Sequence, residues 1–170
     1  MPNYFGVAVL LFIAAVASAQ TPVVDTGVNR KVVDRFLEAA DRGDLDAAVA
    51  TFAEDSINNG RQVTREQLKA VLQDIKTRFP DARLTTVRSV AEGEWVVVRA
   101  IYSGTHRGVG RLPVDGGMLV GVPPTGKSFE VQTIHMFRVV SGTIKEHHAN
   151  RDDIGMMRQL GLLPPPASPR

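Results

Sequence analysis

All four histidines of the chain, His106, His135, His147 and His148, lie in its second half. Imidazole titrates near neutral pH, so two rings side by side could share a proton or polarise a carbonyl. His135 stands in an alternating run with Val131, Thr133 and Phe137 on its own face. Ser141-Gly142 reads as a tight turn, beyond which His147 shares a face with Lys145 and Ala149. Counted from that turn, position 135 falls opposite about position 148, so His147 is a direct or diagonal neighbour of His135. His147 and His148 point to opposite faces, and only one of them can serve a site with His135. A metal would need a third ligand, for which Asp152 or His106 are the available candidates, and nothing in the spacing brings either near. No metal is expected. The chain has no cysteine, hence no thiol nucleophile, and no serine stands in an elbow context.

Residues 121–128, Gly-Val-Pro-Pro-Thr-Gly-Lys-Ser, match the pattern of a phosphate-binding loop. That loop works by aiming backbone N–H groups at phosphates ahead of a helix N-terminus. Pro123 and Pro124 remove two donors, and the residues after Ser128 alternate as a strand. A nucleotide is therefore not expected. The formal net charge is +2, and no basic block is interleaved with aromatics, which argues against nucleic acid.

The elements that must position the histidines follow from periodicity. Val28, Val32, Val33, Phe36, Leu37 and Ala40 have helical spacing, which Gly43 ends. Asp44 caps a short second helix running to Phe52. Residues 53–63 read as a polar, turn-rich segment around Asn58-Asn59-Gly60. Thr64 and Gln67 form a capping box that opens a third helix, closed before Pro80. The period then becomes alternating, and strands are expected over 82–90, 95–105, 129–140 and 143–150. A glycine- and proline-rich connection over 107–127 has the length of a lid or binding loop. Asp152-Asp153 cap a last short helix. Helices followed by an antiparallel meander argue for an α+β domain whose curved sheet wraps the helices and leaves a concave pocket.

At 170 residues this is one domain. Tyr4 to Val16 is an apolar run followed by Ala17-Ser18-Ala19, the pattern of a signal peptide cleaved after Ala19. Export is therefore expected, with a membrane anchor over 4–19 as the second reading. Residues 20–27 read as an extended leader, 28–163 as the folded domain and 164–170 as a Pro-rich tail.

Several motifs carry a resemblance. Pro123-Pro-Thr-Gly-Lys127, a strand with Ile134-His135, then Gly142-x-Ile-x-Glu-His147 and Gln159-Leu160-Gly161 are similar to the SnoaL-like polyketide cyclases, or ester cyclases, of the nuclear-transport-factor-2-like superfamily. Arg30–Leu37, Asp41–Asp46 and Phe79–Arg83 fit the family's first half, so the resemblance covers residues 28–164. It implies a cone of three helices in the hollow of a strongly curved antiparallel sheet. It also implies cofactor-free closure of a ring on a polyketide ester by intramolecular aldol condensation, and a homodimer. It places the pocket histidine at His135 and the principal acid–base aspartate at position 149. Here that residue is Ala149, whose methyl group moves no proton, so His147 or Asp152 would have to replace it. Asn59, Trp95, Tyr102, Thr133, Phe137 and Ala149 are expected to line the pocket around a small organic ligand. The missing aspartate also motivates an alternative: a non-catalytic ligand-binding protein of the cell envelope.

Overall fold

The computed structural model describes residues 26–113 and 117–164. The expected signal peptide and its cleavage site lie outside the described residues. The elements are α1 (Thr26–Arg42), α2 (Leu45–Ala50), β1 (Phe52–Asn58), β2 (Arg61–Thr64), α3 (Arg65–Arg78), β3 (Arg83–Glu92), β4 (Trp95–Thr105), β5 (Ser128–Val140), β6 (Thr143–Arg151) and α4 (Asp153–Gln159). The first helix thus begins two residues inside the stretch read as an extended leader. Thr64 Oγ1 accepts from Gln67 N at 3.2 Å while Gln67 Oε1 accepts from Thr64 N at 3.0 Å, the expected capping box.

Residues 52–64 depart most from expectation. Phe52 opens a strand instead of ending a helix, and the polar segment is a hairpin of β1 and β2. Asn59 (φ 48) and Gly60 (φ 78) make its turn, the left-handed pair that two-residue hairpins require. The alternation was hidden because Glu54, Asp55, Arg61 and Gln62 are all exposed. A second correction follows. The six strands run in the order β2-β1-β6-β5-β4-β3, and β1 lies parallel to β6, so the sheet is mixed and not purely antiparallel.

The inner face of the sheet carries two apolar clusters. Val32, Val33 and Phe36 of α1 pack on Val96, Val98, Phe137 and Ile144. Phe79, Tyr102, Phe129, Val131, Met156 and Leu160 form the second. Thr133 and His135 stand between them on β5.

The pairing of β5 with β6 shifts by one residue between Arg138 and Val139. Val139 faces Ile144, but Arg138 faces Glu146, which leaves Lys145 unopposed as a bulge. A straight register would set His135 opposite His148. The bulge instead sets His135 opposite Ala149 and Phe137 opposite His147, turning His147 inward.

Residues 107–112 are strapped to α3. Asp74 and Arg78 are buried and paired, Nε to Oδ2 at 2.8 Å. Asp74 Oδ1 also accepts from Arg111 N at 2.7 Å, and Arg78 Nη2 donates to Leu112 O at 2.5 Å. A Cβ at Gly108 or Gly110 would collide with Thr77 O or the Arg78 guanidinium, so glycine is needed for this approach. Replacing Arg78 by Leu strands a buried carboxylate and should cost about 3–5 kcal/mol. Urea unfolding measures that loss, and limited proteolysis should find new cleavage within residues 107–112.

Candidate active site

Two inward residues of β5 and one of β6 build the site, and a residue of β1 completes it. His135 Nδ1 and His147 Nε2 are hydrogen-bonded at 2.9 Å. Thr133 Oγ1 lies 3.1 Å from His135 Nε2 and donates to the Asn150 carbonyl at 3.0 Å. At the other end His147 Nδ1 faces Asn58 Oδ1 at 2.9 Å. Phe137, fully buried, forms the floor: its ring stacks on His147 at 4.7 Å and on His135 at 6.0 Å between centroids. The parallel docking of β1 on β6, with Asn58 paired to His147, is what brings the amide within reach.

Desolvation of the half-buried His147 ring, with the repulsion that a proton on His135 or His148 would add, pushes its pKa down to about 3. His147 is therefore neutral at physiological pH.

The other predicted residues fall in different places. Tyr102 is buried on the inner face, with the Arg151 guanidinium 5.1 Å from its ring centroid. Ala149 faces His135 across the strands, so the carboxylate of the resemblance would have stood beside the histidine pair. Asn59 lies in the hairpin turn, where its Oδ1 accepts from Ala149 N at 2.9 Å; it braces β6 while its neighbour Asn58 reaches the site. Trp95 alternates with buried Val96 and lies on the outer face, away from the pair. Asp152 is exposed and caps α4 through Gly155 N at 2.8 Å, so it does not reach the histidines. His148 lies 3.6 Å from outer-face Glu146. His106 is fully buried beside Phe79, and burial lowers its pKa. Arg151 was missed in the sequence: its place on the inner face depends on the bulge, and its Nε donates to Asp153 at 2.6 Å.

Among the described residues no three His, Asp or Glu side chains come together as metal ligands. Residues 122–127, the false phosphate loop, form an irregular entry to β5 with no helix behind it. Met118 and Leu119 close the inner face at Tyr102 and Arg151, leaving a void of only about 10 Å³. An open groove of about 470 Å³ at Asp81, Thr105, Glu130 and Gln159 contains none of the predicted site residues.

A model of the SnoaL-like polyketide cyclases matches residues 30–160. Nogalonic acid methyl ester cyclase of Streptomyces nogalater is 40% identical over 81 residues, covering 48% of this chain and 54% of that protein. The chain thus spans about half the length of that relative. Aklanonic acid methyl ester cyclase DauD of Streptomyces sp. (strain C5) is 29% identical over 137 residues, covering 76% of this chain and 80% of that protein. The solved structure of wild-type IdmH from Streptomyces antibioticus superposes with a TM-score of 0.64 at 30% identity, covering 78% of this chain and 98% of that one.

The depressed pKa of His147 makes stability depend on pH. The unfolded chain binds a proton at this residue below about pH 6.5, whereas the folded chain resists it down to about pH 3. Stability from this group is therefore complete above about pH 6.5 and falls as pH drops through that window, by at most ~1.4 kcal/mol per unit. Urea unfolding between pH 4 and 7 should show this slope, and His147→Gln should flatten it.

Proposed function

Because the chain belongs to the SnoaL-like polyketide cyclase family, we propose that it closes a ring on a small polyketide-type ester by proton transfer at His135, without a cofactor. The observation that carries this reading is the hydrogen bond between His135 and His147, which sets a proton-handling pair on the inner face of the cone. An intramolecular aldol closure removes a proton from carbon beside one carbonyl and returns a proton to the oxygen of another. Atoms, electrons and charge balance within the substrate, so the protein need only move a proton and stabilise an oxyanion. Thr133 can release His135 Nε2 to a ligand oxygen, because it keeps the Asn150 carbonyl as its own partner. His147 and Asn58 hold the ring from the other side. The methyl ester cyclases among the relatives support a methyl ester as the substrate class, and an aldol closure calls for the acidic carbon that a β-keto ester offers.

A ligand of that class needs a cavity of roughly 300 Å³ or more. Met118 and Leu119 must therefore move for it to lie against Tyr102 and Arg151. Val90, Ile134 and Met136, exposed on the outer face, support the reading of a homodimer formed through that face. Export remains a proposal from the first nineteen residues, tested by an intact mass beginning at Gln20.

Ala149 favours the second reading, a protein that binds such a ligand without turning it over. Incubation with a linear polycyclic β-keto methyl ester, followed by chromatography and mass spectrometry, separates the two. The enzyme reading expects a cyclised product of unchanged mass and a loss of about 10²–10⁴ in rate for His135→Gln. Binding without product across a panel of such esters would leave the binding protein. Ala149→Asp, which restores a carboxylate beside the pair, should raise the rate.

A further inference from the structure

Four hydrogen bonds join Asn150, Thr133, His135, His147 and Asn58 into one chain. Each bond needs one hydrogen. Thr133 supplies one and each neutral imidazole supplies one, which makes three. Both ends of the chain are oxygens without hydrogen, the Asn150 carbonyl and Asn58 Oδ1. The network is one proton short. The direction of each bond places the fourth. Thr133 donates to Asn150, which leaves its oxygen an acceptor; His147 Nδ1 donates to Asn58, which leaves Nε2 an acceptor. These two acceptors flank the two nitrogens of His135.

We propose that His135 rests as an imidazolium, carrying the one extra proton of the pair, and that it meets the ligand as an acid. Its ligand is then an oxygen that carries or develops negative charge, the enolate or aldol alkoxide of a β-keto ester. The inference rests on the reading that His135 is the group that meets the substrate. In the ring closure His135 gives its proton to the accepting carbonyl oxygen as the carbon–carbon bond forms. The neutral ring then takes the proton released by the enol, which restores the imidazolium.

The surroundings agree with one charge and not two. His147 stays neutral, since desolvation, and the repulsion from a proton on His135 beside it, hold its pKa near about 3. Arg151 faces the same side from β6 and is engaged by Asp153. Tyr102 faces it from β4, and β1 contributes neutral Asn58 and Ser56. On the helices, Phe36 of α1 packs against Phe137, and the Asp74–Arg78 pair of α3 is committed to Arg111 and Leu112.

Nitrogen-15 NMR of the ligand-free protein at pH 7 reads the protons directly and does not depend on turnover. Expected are two protonated nitrogens on His135 and a proton on Nδ1 alone of His147. In Asn58→Leu only three bonds remain for three protons, so His135 should become neutral and the proton of His147 should move to Nε2. Asn58→Asp keeps an acceptor and should keep the imidazolium. Thr133→Val, if Asn58→Leu fails to fold, leaves two bonds for two protons and should also give a neutral His135. A bare nitrogen on His135 in the wild type would overturn the proposal, because the Asn58 amide would then be supplying the fourth hydrogen. An unchanged pattern in Asn58→Leu would overturn it too. Neither result bears on ring closure, which the turnover assay decides by itself.

Discussion

One unopposed residue decides what the inner face of this sheet can do. Strand side chains alternate, so a single-residue shift of register exchanges every inward residue for its neighbour. Lys145 provides that shift between β5 and β6. With it, His147, Ala149 and Arg151 face inward; in a straight hairpin Glu146 and His148 would take their places. The hydrogen bond between His135 and His147, the stacking of both rings on Phe137 and the reach of Asn58 all follow from this bulge.

The rest of the fold gives that polar strip an environment in which it matters. Apolar clusters lie on both sides of it, so water does not compete freely for its hydrogen bonds and each proton position carries more weight. The strap over residues 107–112 is held by a buried ion pair, whose members are satisfied by each other and by backbone groups. Ala149 removes the acid–base carboxylate that the family resemblance implies beside the pair. In the reaction proposed above, histidine and amide groups are left to handle the proton.

Most of the architecture was legible in the residues. The capping box at Thr64, the alternation from Trp95 to Thr105 and the Ser141-Gly142 turn each state a local preference that the fold keeps. The hairpin of β1 and β2 was not, because exposed polar residues on both strands blur the period of two, although Asn59-Gly60 is its signature. The parallel pairing of β1 with β6 depends on contacts between distant segments that no local pattern encodes. The site was half legible. Alternation put His135 and His147 on neighbouring strands, but the bulge that aligns them has no marker in Thr143-Ile-Lys-Glu. Asn58 and Asn59 are indistinguishable in the sequence, where a turn and a strand end look alike, and only Asn58 reaches the histidine pair. Trp95 is a candidate by residue type and Asp152 by its nearness in sequence to position 149, whereas strand parity and helix capping place them elsewhere.

The central claim is that His135 and His147 act as one proton-handling unit, and a double-mutant cycle tests it most directly. The rate of ring closure on a β-keto methyl ester is measured for the wild type, His135→Gln, His147→Gln and the double variant. For residues that act together the losses are strongly non-additive. The account therefore expects the double variant to be scarcely slower than His135→Gln alone. Losses that multiply, as for two independent groups, would contradict it.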